Sequence, residues 1–467
     1  MNLKKILWFA LGPIGSIFLG FLTLPIIAWI FNIETVAKIS LIMVASNLIL
    51  LICGLGLDQS YIRDYYKEKN KKKLFFNLII PGHILYFMLL LVFLVFPNLI
   101  EILLFKLDLI SRLSIFLILY SVFVMRFLTL DYRMEGDAKI FSFYQIVPKL
   151  LYFLFLIIII ILEIDKEFKT LLIAYTLSNL IPALFIIYSY FKRVRINFRE
   201  FDYHIFFEKI GYAIPFLISG VIYSLFNILD RYALKFLSNL DELGRYSLAV
   251  SIAGVTSVVI AVFNTIWAPM VFKKIDEKNE DIDISGNAYN LLKVLMPFYC
   301  LLGLSGPAIE SLLPSQYNKI SEIIIIYVLV PMFYVISEIT GVGILVAKRT
   351  KWLVMCSFIC LLINIFLCFI LVPKLGGVGA AISVSMSYLV YLIMKTLIST
   401  IVWKSFSYLG ILFMAILMFV FSIFNLFIGS FEYFKFIYWL ALFFLVFILN
   451  RKFYLILFYG LMKYVKN

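Results

Sequence analysis

Apolar runs long enough to cross a bilayer recur fourteen times between Leu7 and Asn450, and only short polar connections separate them. A helix needs about 20 mostly apolar residues to cross roughly 30 Å of hydrocarbon, where no water can satisfy an unpaired backbone group. The first six runs lie near 7–31, 36–57, 75–97, 109–130, 140–162 and 169–191. Six more lie near 210–230, 243–270, 288–313, 320–346, 351–373 and 377–400, and a final pair near 408–428 and 432–450. Composition agrees, since 64% of the 467 residues are hydrophobic and 15% charged, against about a quarter charged in a soluble domain. The expected fold is an all-α polytopic membrane protein with about 14 transmembrane helices. The basic N-terminus, "MNLKKILWFALGPIG", shows no small-residue cleavage site and reads as a first membrane helix. The tail "RKFYLILFYGLMKYVKN" reads as an interfacial amphipathic helix.

The net charge of +14 invites a nucleic-acid reading, which the placement of the charges excludes. With the N-terminus inside, the inner segments include 63–73, 192–200, 273–278 and 348–351, and with both termini they carry 27 of the 41 Lys and Arg. The outer connections carry 11, and Arg126, Lys149 and Lys293 lie within spans. That asymmetry is the positive-inside pattern and predicts that both termini are cytoplasmic. The five cysteines all lie in apolar runs without metal-ligand spacing, and the two histidines stand apart, so no metal or cofactor is expected. No connection is long enough to form an external catalytic domain, and no catalytic triad or HExxH pattern is present. Transport is therefore expected over catalysis.

A weak internal repeat supports two parallel halves. Shifted by 207 residues, Lys38 falls on Arg245, Ser40 on Ser247 and Leu41 on Leu248, and Lys5 precedes its span much as Lys209 does. A six-span repeat is even, so both copies enter from one side and leave a cavity between two bundles. The expected divisions are residues 1–200, 201–403 and 404–467, the last holding two extra spans and the tail. Prolines interrupt several spans (Pro13, Pro25, Pro148, Pro182, Pro215, Pro331), and the carbonyls they free must face protein or a wet cavity. Gly12, Ser16 and Gly20 recur every four residues as a small face for a neighbouring helix.

Four stretches resemble the Wzx-type polysaccharide (O-antigen and capsule repeat-unit) flippases. "GLDQSYIRDYY" from Gly56 is similar to their signature after span 2, and "DYRMEGDAKIFS" (131–142) to the loop after span 4. "ILDRYALKFL" (228–237) resembles the end of their span 7, and "LVPKLGGVGAAIS" (371–383) the start of span 12. The superfamily also holds the lipid II flippases and the multidrug MATE exporters. Lipid II flippases carry arginines in span 1, and the absence of charge from Leu7 to Phe31 favours the Wzx branch. The resemblance implies two six-helix bundles in a V around a central cavity, with two further C-terminal helices. It also implies outward movement of an undecaprenyl-pyrophosphate-linked oligosaccharide across the bacterial inner membrane by alternating access, in the manner of an ion-coupled antiporter. Membrane lipids and the polysaccharide polymerase machinery are the expected partners, and proton or Na⁺ the expected coupling ion. The competing readings are a cation-coupled drug exporter of the MATE type and a membrane glycan polymerase.

Within that frame, ionisable residues inside spans are functional candidates. Arg126, Lys149 and Lys293 all fall in the cytoplasmic part of their spans and would offer cations to a diphosphate. Snorkelling to the inner headgroups is the alternative for Arg126 and Lys293; Lys149 lies deeper and follows Pro148. Glu338 is the candidate for ion coupling, with a bundle lysine as its alternative partner. Asp58 and Arg63 are expected to form an inner latch with Arg133, Glu135 or Asp137. Asp230 and Arg231 are expected at the outer end of span 7, as part of an outer gate or as a solvated helix end.

Overall fold

Each apolar run closes its own backbone hydrogen bonds, and the chain forms helix after helix with no strand among the described residues. The computed structural model describes residues 3–193, 202–256, 267, 271, 283–347, 349, 351–428, 432–451 and 453–454. Most of 192–200, all of 273–278, the second half of the run at 243–270 and the tail beyond Tyr454 lie outside the described residues. Nine described helical stretches are each long and apolar enough to cross a membrane, and one of them, Lys351–Val402, contains two of the expected spans. The all-α, multi-span architecture is therefore as expected. The chain divides into two compact units, Met1–Leu229 and Asp230–Asn467.

The first unit contains α1 (Leu3–Ile30), α2 (Ile33–Gly54), α3 (Leu57–Asp64), α4 (Lys71–Val95), α5 (Pro97–Leu103), α6 (Leu109–Glu135), α7 (Ala138–Ile161), α8 (Phe168–Arg193) and most of α9 (Tyr203–Leu237). Short polar side chains set where its helices begin. Asn32 accepts from the Thr35 N–H at 2.8 Å, Asn70 from Lys73 at 3.0 Å, Asp108 from Ser111 at 3.1 Å and Asp137 from Ile140 at 3.3 Å. Each satisfies a backbone donor that the first helical turn cannot. Gly136, left-handed at φ 82°, ends α6.

Helix α1 lies along α7. A Cβ on Gly12 would come within 2.8 Å of Gln145 Oε1, and one on Gly15 within 3.0 Å of Ile146. The small face therefore differs from the expected stripe. Gly12 packs, but Ser16 turns back to the Pro13 carbonyl at 2.9 Å, and a Cβ on Gly20 would touch nothing among the described residues.

The second unit continues with α10 (Leu240–Ala253), α11 (Ile284–Leu304), α12 (Gly306–Ser311), α13 (Ile320–Tyr327), α14 (Leu329–Thr340) and α15 (Val342–Val346). It closes with α16 (Lys351–Val402), α17 (Leu409–Phe427) and α18 (Glu432–Leu449). Inside α16 the chain breaks at Gly376, with φ 53° and ψ −129°. A Cβ on Gly379 would lie 2.5 Å from the Leu371 carbonyl oxygen, whereas eight residues of straight helix would span about 12 Å. The chain thus reverses within "PKLGGVG", and the two expected spans emerge from one helical assignment. Glu242 in the first turn of α10 secures the reversal. Its Oε2 accepts from the Gly377 N–H at 2.8 Å, and its Oε1 pairs with Arg245 at 2.6 Å. A carboxylate at the start of a helix is favoured by the exposed N–H groups there.

Two glycines separate packing from mere presence. Gly376→Ala would put a methyl into Glu242 at a positive φ and should destabilise by about 1–3 kcal/mol. Gly20→Ala should stay within about 0.5 kcal/mol of the parent. Thermal unfolding of the purified protein, followed by loss of the monodisperse chromatographic peak, reads both; equal behaviour would contradict this account of the turn.

Candidate functional site

The α2–α3 junction explains why an apolar helix ends in "GLDQSYIRDYYK". Leu55 and Gly56 are both left-handed, at φ 51° and 68°, so α2 stops and α3 leaves in a new direction. Gly56 also lets α9 approach, since a Cβ there would lie 2.5 Å from the Ala213 carbonyl oxygen. Helix α3 is amphipathic, with Leu57, Ser60, Tyr61 and Asp64 buried. Ser60 donates to the Lys209 carbonyl at 3.0 Å, and Lys209 Nζ lies 3.1 Å from Asp64, 2.8 Å from Glu208 and 3.6 Å from Glu68. Arg63 covers the Tyr212 ring at 4.0 Å. Farther along, Lys73 pairs with Asp202 at 3.3 Å. Burial works against the Lys209 ammonium, but its bonds to Glu208 and Asp64 outweigh it and lift the pKa above the ordinary lysine value. The Lys73 bond holds the Asp202 carboxyl below the usual carboxylate range. These polar residues form a clamp between α3 and the start of α9.

Asp58, expected in an inner latch with the loop at 133–137, has a different partner. Asp58 pairs with Arg126 at 3.1 Å, and the Arg126 side chain is half exposed. Arg63 lies 3.8 Å from its neighbour Asp64. The loop charges expected to face them have other roles: Glu135 pairs with Arg193, Asp137 caps α7 and Arg133 lies 5.9 Å from the Phe141 ring. Arg193 also reaches Asp131 at 3.4 Å, and Asp131 accepts the Tyr61 hydroxyl. A cargo candidate and a gating candidate are therefore one ion pair.

The other two candidate cations differ from Arg126. Lys149 is half-buried in α7 and makes no hydrogen bond or ion pair among the described residues. Lys293 Nζ lies 5.1 Å from the Phe453 ring, and its carbonyl accepts the Tyr454 hydroxyl at 2.7 Å; it too meets no carboxylate among the described residues.

In the second unit Glu338 meets Lys395 at 2.5 Å. Lys395 is 3% exposed, and Gly341 makes room for it, because a Cβ there would lie 2.6 Å from its Cε. Lys395, which was not among the in-span cations singled out from the sequence, belongs to a helix interior. Its signal was its position five residues before the end of the run at 377–400. Asp230 and Arg231 also depart from expectation. Helix α9 continues to Leu237, so neither is a solvated helix end, and they are 1% and 8% exposed. Tyr246 donates to Asp230, as does the Arg231 N–H at 2.8 Å. The five cysteines are free and buried, and no metal-binding group occurs among the described residues.

This geometry defines a multi-span, all-helical membrane protein with charged residues held inside its helices. The chain belongs to the polysaccharide biosynthesis protein family, whose family model matches residues 2–275. That family agrees with the resemblance of the four stretches to polysaccharide flippases. No curated protein matches the sequence. Among solved structures it is similar to a lipid II flippase, MurJ, in an inward closed conformation, at TM-score 0.71 and 17% identity over 95% of this chain and 99% of that one. It is similar to an inward-facing multidrug resistance MATE family transporter of the MOP superfamily at TM-score 0.61 and 17% identity, covering 86% of this chain and 94% of that one. A mutant of the Vibrio cholerae MATE transporter VcmN follows at TM-score 0.58 and 13% identity, covering 88% and 97%.

The Lys209 clamp and the Asp58–Arg126 pair should respond differently to substitution. Lys209→Ala leaves Asp64 buried without its cation and should cost about 1–3 kcal/mol. Asp58→Asn weakens a pair with a half-exposed arginine and should cost less than about 1 kcal/mol. Parallel melting curves of the two variants check the order.

Proposed function

We propose that this protein flips an undecaprenyl-pyrophosphate-linked oligosaccharide repeat unit from the cytoplasmic to the outer leaflet of the bacterial inner membrane, and is not an enzyme. The observation that carries the reading is Lys149, an intramembrane cation with no acidic partner among the described residues. An uncompensated charge in a low-dielectric setting is expensive to hold and favours a site that receives an anion. A diphosphate is such an anion. The family and the likeness to a lipid II flippase support a lipid-linked cargo. A cation-coupled drug exporter would need an unpaired acid, and Glu338 is paired with Lys395. A glycan polymerase would need catalytic groups, for which the site offers no arrangement.

Under this reading both termini are cytoplasmic, and the cargo enters where α2 ends. Its diphosphate competes with Asp58 for Arg126, so arrival of cargo opens the inner latch, and Lys149 and Lys293 take up charge deeper in. Protonating Glu338, or binding Na⁺ beside it, releases Lys395 and couples an ion to the alternating-access cycle. Asp230 and Arg231 act in the outer gate. Membrane lipids surround the protein, and the polysaccharide polymerase machinery receives its product.

Complementation of surface-polysaccharide production in a strain lacking the protein tests the reading, with expression of each variant checked. Lys149→Arg should complement, whereas Lys149→Ala and Lys149→Glu should fail. Arg126→Lys should work less well than the parent, because lysine cannot bind a diphosphate bidentately. Full function of the Lys149→Ala/Arg126→Ala double variant would overturn the anionic-cargo mechanism.

Glu338→Gln removes a titratable group without removing a cation. Transport should slow while cargo binding persists, measured with fluorescent lipid-linked cargo in liposomes under an imposed ion gradient. An unchanged rate across the neutral pH range would place the coupling elsewhere.

A further inference from the structure

A polar chamber lies in the second unit, apart from the charges considered above. It holds about 270 Å³ between the turn from α11 into α12, the first turn of α13 and the two C-terminal helices. Sites for drug-sized molecules begin at roughly 300 Å³, so the chamber suits one small ring and not an acyl chain. Its inner wall is Trp439, 1% exposed. Gly303 permits this, since a Cβ at that position would enter the indole. The indole N–H donates to Asn425 Oδ1 at 2.9 Å. An indole nitrogen can only donate, so the Asn425 carbonyl must face it and the NH₂ must point elsewhere. Asn425 is itself 1% exposed and lines the chamber, and its amide hydrogens meet no acceptor among the described residues.

The charged lining consists of two carboxylates, Glu310 and Glu322, and two lysines, Lys435 and the exposed Lys319. Glu310 Oε1 accepts from the Ser321 N–H at 3.1 Å and from its hydroxyl at 2.5 Å. Glu322 Oε1 holds Lys435 at 2.8 Å. The Oε2 of each has no partner among the described residues. The chamber therefore presents a buried, orphaned double donor together with two free acceptors, beside the Glu322–Lys435 ion pair.

We propose that this chamber binds a single sugar ring, neutral or amino-substituted. A hydroxyl both donates and accepts, so neighbouring hydroxyls can satisfy the Asn425 amide and a carboxylate oxygen together. A phosphate or an acidic sugar would face the unpaired Oε2 atoms of Glu310 and Glu322, with only the solvent-exposed Lys319 as an unengaged cation to offset them. A bare cation would have to displace Lys435. Under the orientation proposed above, the chamber lies at the outer ends of its helices, where a cargo's sugars emerge, and it gives the last two helices a role. Only that purpose rests on the flippase reading; binding does not.

The test uses the full-length protein in nanodiscs of phosphatidylcholine and phosphatidylglycerol. Glucose, N-acetylglucosamine, glucosamine, glucuronic acid and phosphoethanolamine are each titrated by saturation-transfer NMR. The first three should bind, with glucuronic acid weaker by about tenfold or more. Asn425→Asp keeps an acceptor for the indole and removes the donor, and should weaken all three by a similar factor. Glu310→Gln keeps an acceptor for Ser321 and should weaken glucosamine more than glucose. Equal signals from the parent and both variants would overturn the proposal, as would a preference for glucuronic acid or phosphoethanolamine. Because no transport is measured, failure of complementation and failure of sugar binding are separate results.

Discussion

The governing constraint is that hydrocarbon offers no water to a charge or to a backbone polar group. Backbone groups respond by forming helices, and the acids within the helices respond by finding partners. Asp58 meets Arg126, Asp131 meets Tyr61 and Arg193, Glu338 meets Lys395, and Asp230 meets Tyr246 and the Arg231 backbone. Lys149 and Lys293 stand outside this pattern, without a carboxylate among the described residues. The excess of unmatched positive charge inside the spans therefore follows from how completely the acids are matched. That excess is the feature on which the proposed anionic cargo rests.

The same constraint made the fold legible in the sequence. A run must be about 20 residues long to cross, so thirteen of the expected runs correspond to described helices, and the fourteenth is described through its first half as α10. Polar residues between runs, such as Asn32 and Asp108, marked helix starts for the reason that capping requires. The end of α9 was not legible. The run near 210–230 stops at Asp230 only because charge is assumed to mean solvent, and Tyr246 removes that need by donating to the carboxylate. No property of residues 228–237 alone announces a partner on α10.

Pairings across helices were the least legible feature of the site. Each residue turns about 100° around a helix axis, so a partner depends on helix rotation, which sequence spacing does not fix. Asp58 was matched to the loop at 133–137, one turn or more beyond its actual partner, Arg126. Lys395 was missed because a base near a span's end looks like a cytoplasmic anchor. Lys395 turns inward to Glu338, and the opposing Gly341, with no side chain to block it, leaves it room.

Helix α3 is held to two neighbours by ties of different strength, to α9 through Lys209 and to α6 through Arg126. Lys209 is buried against Asp64 and is reached by Glu68 and Glu208, so losing one partner leaves others in place. Arg126 is half exposed and holds Asp58 through a single contact. An anion arriving beside Arg126 can take over that contact without desolvating a new charge, because the guanidinium exchanges one oxygen partner for another. Lys209 offers no such exchange, since its carboxylates already surround it. The sequence "GLDQSYIRD" thus carries, within two turns, one acid tied by a buried lysine and one tied by a half-exposed arginine. Asp58 therefore has the contact open to exchange, and Asp64 the enclosed one.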